Sequence, residues 1–322
     1  MTAETPVLTS LSEQPEMAEG VTELIARAEA NDQVAPLSEQ FLLGLSDARI
    51  GQQHLVLSVE GKPVGLLAAE VTPEGAVAEL VVDPGWRRQA IATELLRAAM
   101  GRWRRVDLWA HGNLQAAIDF AQKFSAEKTR ELLVMRLEEH VASAHIPPGF
   151  ELLTLNASRE RFGAFADSEL LRVNNEAFAW HPEQGNWEPS RWQRAQEVEW
   201  FDPDGVFLLW GLPGVLGKGQ TGENSPQLVG FHWTKCVKSQ QVNVGETPGE
   251  VYVVGLADAV RGKGLGKAII LAGINFLQEN CSEQVILYVE ADNLAAVTAY
   301  EKLGFFLAET HAVYRFCAQG RG

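Results

Sequence analysis

Cysteine is scarce in this 322-residue chain, and Cys236, Cys281 and Cys317 are too far apart and odd in number to form a disulfide framework. They suit a reducing compartment. The seven histidines show no HExxH or other ligand spacing and no CxxC pair occurs, so no metal site is expected. Nor is there a GxSxG elbow, which leaves a serine hydrolase without motif support. Basic residues are outnumbered: 27 Lys and Arg against 42 Asp and Glu leave a net charge of −15. A field of that sign disfavours nucleic acid and anionic membrane surfaces as partners. No apolar run reaches the roughly 18 residues of a spanning helix, and Met1-Thr-Ala-Glu-Thr-Pro6 lacks a basic stretch ahead of an apolar core. The expectation is a cytoplasmic, monomeric protein that binds neither nucleic acid nor membrane.

What is present is enough apolar material, 46% of residues against 21% charged, for two globular cores. Helical periodicity marks Thr22–Ala30 and Ser38–Leu45, and strand patterns follow at His54–Val59, Gly61–Ala69 and Ala76–Val82. A helix from Ala90 to about Arg104, a strand Arg105–Ala110, a helix Leu114 to about Phe124 and a strand near Leu132–Leu137 complete a mixed α/β half. The second half repeats the plan, with strands at Val206–Trp210, Gln227–Thr234 and Glu250–Leu256 and a helix from Gly264 to about Asn280. The glycine-rich stretch 217–226 joins two strands and opens no helix, so it reads as a loop, as does 238–248. Helical periodicity stops near Glu139, and Pro147-Pro-Gly149 forbids its continuation. Domains over 1–140 and 151–322, joined by a linker at 141–150, are expected.

The most informative segment is the strand Glu250–Leu256 running into Arg261-Gly-Lys-Gly-Leu-Gly-Lys267. Glycines without Cβ atoms let an anion reach the backbone, and the helix N-terminus behind them presents N–H groups to it. Such a turn suits a pyrophosphate. The same layout occurs earlier, where Glu79-Leu-Val-Val82 leads to Arg87-Arg-Gln-Ala-Ile-Ala-Thr93. Setting Arg87 on Arg261 places Ala90 on Gly264 and Ala92 on Gly266, a constant offset of 174 positions that points to duplication.

Arg261-x-x-Gly264-x-Gly266, followed by Leu287-Tyr-Val-Glu-Ala-Asp-Asn293 and then Tyr300 and Gly304-Phe305, resembles the GNAT acyl-CoA N-acetyltransferases. The resemblance implies an α/β fold of two tandem GNAT domains, each a mixed sheet flanked by helices, and acetyl-CoA as co-substrate. It assigns backbone contacts with the acyl group and cofactor to Val254, Gly255 and Leu256. Arg261, Gly262, Lys263, Gly264, Leu265, Gly266 and Lys267 would cradle the pyrophosphate. Asn293, Leu294, Ala295, Ala296, Val297 and Thr298 would line the pantetheine arm.

Acetyl transfer to an amine needs a base for the ammonium and a proton for the departing thiolate. Glu250, on the strand entering the turn, is the candidate base, with an exposed strand-start carboxylate as the other reading of its spacing. Tyr300 is the candidate acid, with packing on an apolar helix face as the other. In the first half the position matching Tyr300 is Ala121, and a methyl group protonates nothing. That half is either a cofactor site without turnover, formed by Leu80, Val81, Val82, Arg88, Gln89, Ala90, Ile91, Ala92 and Thr93, or a degenerate structural copy.

Six of the nine tryptophans fall between Trp180 and Trp233, and the run Val173-Asn-Asn-Glu-Ala-Phe-Ala-Trp-His-Pro-Glu-Gln-Gly-Asn-Trp187 reads either as a binding loop for a sugar-like substrate or as ordinary aromatics. With Gly230–Lys235 and Gly249–Gly255, it makes the whole chain resemble the mycothiol synthase family of actinobacteria, which are tandem GNAT enzymes. That resemblance implies acetylation of a cysteinyl amine on a glucosamine-inositol pseudodisaccharide. It would place Glu183, Lys235, Glu250 and Tyr288 against this substrate and Glu39 against a cofactor in the first half. Ala257-Asp258 departs from the Asp-Pro usual in the family. The alternatives are a GNAT enzyme for another amine, a peptide N-terminus or an aminoglycoside, and a non-catalytic acyl-CoA sensor.

Overall fold

Strand alternation and helical periodicity resolve into two compact units in the computed structural model, which describes residues 5–179, 184–215, 226–237 and 247–317. One unit holds the described residues of 1–133, 290–292 and 309–322, and the other those of 134–289 and 293–308.

The first unit begins with β1 Val7–Thr9, α1 Pro15–Asp32 and α2 Glu39–Gly44. An antiparallel meander follows, β2 Gln53–Val59, β3 Lys62–Thr72 and β4 Gly75–Val82. Glu60 and Gly61 both have positive φ (51° and 77°), the hairpin turn whose twist matches that of the flanking strands. Next come α3 Ile91–Met100, β5 Arg105–Ala110, α4 Gln115–Lys123 and β6 Glu127–Leu137, whose residues from Val134 belong to the second unit. β5 lies parallel to β4, and on its other side residues 312–317 pair with it antiparallel. The period of two sorts the side chains: Leu55, Leu57 and Leu67 join Ile91, Leu95 and Leu96 of α3 in one buried cluster, while Val56, Leu66 and Ala68 join Leu24 of α1 and Phe41 of α2 in another. Each of the Val, Leu, Ile and Phe side chains among them contributes roughly 1.5–3 kcal/mol when fully buried.

The second unit is built from β7 Phe150–Thr154, α5 Leu155–Phe162, α6 Phe165–Ala177, α7 Pro189–Ala195, β8 Val206–Gly211, β9 Gln227–Lys235, β10 Gly249–Leu256, α8 Leu265–Asn280, β11 Val285–Glu290 and α9 Leu294–Glu301. The last strand, β12 Phe306–Cys317, starts in this unit and supplies the residues that pair with β5. β7 to β10 are antiparallel in order, and β11 joins β10 in parallel. Trp210, Phe231, Leu228 and Ile269 sit in its buried core. Gly273 lets α8 approach β9, since a Cβ there would stand 2.2 Å from the His232 ring. His232 is fully buried, its Nδ1 lies 3.0 Å from the Ile269 carbonyl oxygen, and burial pushes its pKa down to about 4.

Several element boundaries differ from expectation; α1, for one, starts at Pro15 rather than Thr22. The helix from Ala90 stops at Met100 rather than Arg104, because Trp103 turns into the core. The strand near Leu132 starts at Glu127, where the polar run Glu127-Lys-Thr-Arg-Glu131 hides it. Most of the two expected loops lies outside the described residues.

Candidate active site

β10 and β11 are paired only from Gly249 to Val251, although β11 continues to Glu290 and β10 remains paired with β9 as far as Leu256. From Val253 onward the strands therefore separate, and one backbone edge of Val253–Leu256 is left without a sheet partner in the described residues. The chain then passes a 3-10 turn at Asp258–Val260, and Gly262 and Gly264 adopt φ of 76° and 80° before α8 begins. A Cβ on either glycine would meet nothing within 4 Å, so their role is backbone conformation, and the space over the turn is open. Successive N–H groups in such a turn, backed by a helix N-terminus, form an anion cradle. Gly266 differs: a Cβ there would lie 3.4 Å from Leu256 Cδ1, at ordinary packing distance. Arg261 is held by Asp258 at 2.9 Å and by the Ala177 carbonyl at 3.3 Å. Lys263, Leu265 and Lys267 complete the turn and the first helical residues.

Gly255 has a further constraint on its side-chain face, where a Cβ would stand 2.7 Å from the Phe231 ring and 3.1 Å from Ala177. The strand bulges before this glycine, at Tyr252, where the β9–β10 register shifts between Val251 and Val253. Two residues, Tyr252 and Val253, then oppose Trp233. Glu250 faces Lys235 across the same ladder, with the Nζ 3.8 Å from the carboxylate, and both side chains are largely buried. Tyr288 is exposed on β11 just past the paired stretch. Glu183, with Trp180 and His181, lies outside the described residues.

Asn293 caps α9 by accepting the Ala296 N–H at 3.2 Å, leaving Leu294, Ala295 and Thr298 exposed and Ala296 and Val297 partly covered. Tyr300, two turns on, is buried against Phe305. Burial pushes its pKa up to about 12, so the phenol is held protonated at neutral pH.

The first unit has the same frame. β4 and β5 are paired from Ala76 to Glu79, and Leu80, Val81 and Val82 run beyond the paired stretch. Arg88 and Ala90 adopt φ of 64° and 65°, the same left-handed region as their partners Gly262 and Gly264, with Gln89 between them and Ile91, Ala92 and Thr93 opening α3. Arg87 makes a bidentate pair with Asp32, 2.7 Å for each bond, which holds the Asp32 carboxyl below its ordinary value. Glu39 is the exposed first residue of α2. Ala121 is buried in α4, and Leu114 before α4 provides no side-chain cap.

Set beside known proteins, the chain matches the acetyltransferase (GNAT) family model twice, over residues 20–126 and 173–305. The chain belongs to the GNAT acetyltransferase family. GNAT enzymes draw their acetyl group from acetyl-CoA, and this one is a tandem GNAT N-acetyltransferase. It is 44% identical to a mycothiol acetyltransferase of Corynebacterium aurimucosum over 93% of this chain and 95% of that one. A mycothiol acetyltransferase of Corynebacterium kroppenstedtii is 41% identical, over 89% and 86%. In fold it is similar to a tandem GNAT protein of the clavulanic acid biosynthesis pathway, with TM-score 0.67 and 16% identity over 100% of both chains. A GCN5-related N-acetyltransferase of Sphaerobacter thermophilus gives 0.68 at 18% identity, over 98% of this chain and 94% of that one. No helix among the described residues is long and apolar enough to cross a membrane.

Three features of this GNAT site escaped sequence reasoning. Asn174 and Asn175, at the end of α6, clip the segment 184–187: Asn174 exchanges bonds with Gln184 at 3.0 Å each way, and Asn175 with the Trp187 backbone at 2.8 and 2.9 Å. Glu176, next in the chain, accepts the Asp258 N–H at 2.6 Å, tying the same helix end to the chain just before the glycine turn. Trp200 and Tyr252 pack against each other beside Lys235. The doubled asparagine was a visible signal. Trp200 gave none, because nothing in its local sequence names its partners.

Proposed function

We propose that this GNAT enzyme transfers acetyl from acetyl-CoA to the cysteinyl amine of 1D-myo-inositol 2-(L-cysteinylamino)-2-deoxy-α-D-glucopyranoside, the last step of mycothiol formation. The observation that carries this reading is the 44% identity to a mycothiol acetyltransferase across 93% of the chain.

Acetyl-CoA supplies the activated acyl group. The protein's part follows from its residues. Glu250 takes the proton from the cysteinyl ammonium, directly or through water; an α-amino group of pKa near ~8 asks for only a modest base. The open edge of β10 at Val254 and Leu256 directs backbone N–H groups toward the acyl oxygen, where negative charge develops as the amine attacks. Tyr300 gives its phenolic proton to the departing thiolate. The C–S bond breaks as the amide C–N bond forms, and CoA leaves as the thiol. The turn from Arg261 to Lys267 holds the pyrophosphate, and Asn293–Thr298 line the pantetheine arm. Glu183, Lys235 and Tyr288 contact the pseudodisaccharide.

In this reading the N-terminal domain, 1–140, is a non-catalytic copy that binds CoA through Leu80–Val82, Arg88–Thr93 and Glu39, and catalysis belongs to 151–322. The shared left-handed pair at Arg88 and Ala90 supports the binding part. The protein acts as a cytoplasmic monomer without nucleic acid, membrane or metal, and the net charge of −15 supports the first two exclusions.

The deciding measurement is mass detection of the N-acetylated product from acetyl-CoA and the cysteinyl pseudodisaccharide. Robust acetylation of a peptide N-terminus or an aminoglycoside, with the pseudodisaccharide unmodified, sinks the reading.

A further inference from the structure

Trp200 and Tyr252 take no part in the chemistry assigned above, yet both rings lie against the Lys235 ammonium. Its Nζ is 5.0 Å from the Trp200 ring centre and 5.9 Å from that of Tyr252. The two rings meet edge to face at 4.9 Å, and Tyr252 meets Trp233 in the same way at 4.9 Å. Trp233 is buried and also packs against Trp192 and Phe201, so the wall behind the cage is rigid.

Strand parity explains how these groups come together. Lys235 and Trp233 are two apart on β9 and share a face, and Glu250 lies opposite Lys235 on that face. In a regular strand Tyr252 would share the face and Val253 would not. The bulge keeps Tyr252 on it and brings Val253 opposite Trp233, so β10 can present Glu250 and Tyr252 to one side before the bulge and Gly255 to the same side after it. A lysine on a strand is ordinarily a mobile point charge on a flexible stem. Here two aromatic faces and a carboxylate 3.8 Å away confine it.

We propose that Trp200 and Tyr252 are positioning residues that hold the Lys235 ammonium beside Glu250, where it serves as a fixed hydrogen-bond donor for an acceptor oxygen. This rests on the acceptor reading given above. Tyr252 acts here through its ring face rather than its hydroxyl, and Trp200 through its indole face.

A double-mutant cycle on the full-length enzyme tests it. Tyr252→Leu lowers kcat/KM for the cysteinyl acceptor about tenfold, through KM, and leaves KM for acetyl-CoA unchanged. In a Lys235→Met background the same change costs less than about twofold, because the residue it acts through is gone. Tyr252→Phe, which keeps the ring, stays near wild type. Equal losses in both backgrounds, or a Tyr252→Phe enzyme as impaired as Tyr252→Leu, overturn the proposal. A readout that needs no acceptor separates it from the functional reading: the rate at which acetic anhydride labels Lys235, followed by peptide mass spectrometry, rises about tenfold in Tyr252→Leu and in Trp200→Leu relative to other lysines. Unchanged labelling in whichever of the two variants folds overturns the cage. A wild-type enzyme that leaves the pseudodisaccharide unmodified overturns the substrate reading while the labelling still reports on the cage.

Discussion

At the turn before α3, Arg88 and Ala90 hold φ of 64° and 65°; at the turn before α8, Gly262 and Gly264 hold 76° and 80°. The backbone is the same and the side chains are not. A non-glycine residue in the left-handed region costs on the order of 1–2 kcal/mol, so the first unit retains this turn at an energetic disadvantage. Beyond the turn the likeness fades. β4 pairs with β3 without a register shift, whereas β10 bulges at Tyr252; α4 lacks the side-chain cap that Asn293 gives α9; and Ala121 stands where Tyr300 stands. The frame that suits a pyrophosphate is thus present in both units, while the carboxylate and phenol proposed for proton transfer, Glu250 and Tyr300, belong to the second. Holding a phosphate needs backbone geometry, which several sequences can adopt. Proton transfer needs a particular side chain at a particular place.

The strongest way to break this comparison is to remove one buried carboxylate from each unit. Glu250→Gln should lower kcat/KM by about 10²–10⁴-fold with the fold intact, the usual range for a lost general base. Glu79, in the first unit, accepts the Ser38 N–H at 2.7 Å and sits 2.9 Å from His111 Nε2. Glu79→Gln should lower unfolding stability by about 1–3 kcal/mol and leave turnover unchanged. Loss of turnover in Glu79→Gln, measured with folded protein, would put catalytic chemistry in the first unit.

Tyr300→Phe should cost less than Glu250→Gln. A thiol of pKa near ~8.5 is a fair leaving group that water can protonate, so a loss of roughly ten- to a hundredfold in kcat is expected, with KM for acetyl-CoA little changed. Single-turnover kinetics with the variant check it. Full activity would return Tyr300 to the packing role that its contact with Phe305 alone describes.

The parts of this site that sequence made legible are those with local signatures. The strand, the glycine turn and the helix after it fall within a residue or two of expectation, and the offset of 174 carries through to matching dihedral angles at both left-handed positions. The bulge at Tyr252 has no local signal, because glycine is the usual sign of one and the small residue of this strand, Gly255, instead makes room for Phe231 and Ala177. The pairing of Ala312–Cys317 with Arg105–Ala110 had no local signal either, since strand partners some 200 residues apart leave no pattern in either segment. Trp200 was invisible for the same reason: its place is set by tertiary packing alone.

Acid should distinguish the units next. His54 and His311 in the first unit and His232 in the second are all pushed down to about 4, chiefly by burial. His54 accepts the Leu11 N–H, and His311 meets His111 through their Nδ1 atoms at 2.9 Å. A histidine whose folded value lies below its unfolded value of 6.5 binds its proton more readily unfolded. Its stabilisation is therefore present above about pH 6.5 and is lost as pH falls toward 4, by about 2 kcal/mol for each histidine at pH 5 and about 3 kcal/mol at pH 4. With two of the three, the first unit should lose amide protection in β2 and at 309–317 at a higher pH than the second unit loses it in β9. Hydrogen exchange at pH 7 and pH 5 reads the difference, and equal protection in both units at pH 5 would sink it.

The smallest expected effect probes the shared turn itself. Gly264→Ala places a Cβ at φ 80° and should destabilise by about 1 kcal/mol. Ala90→Gly acts in reverse: relief of left-handed strain, of order 1–2 kcal/mol, outweighs the about 0.4–1 kcal/mol of added unfolded-chain entropy, for a net gain of about 0.5 kcal/mol. Gly266→Ala should be nearly neutral, because its Cβ would rest 3.4 Å from Leu256 and Ala92 already occupies the matching position. Denaturant titrations without acetyl-CoA compare the three. If Ala90→Gly destabilises as much as Gly264→Ala, the left-handed conformation at Ala90 is not strained, and the two turns would differ in backbone energy as well as in sequence.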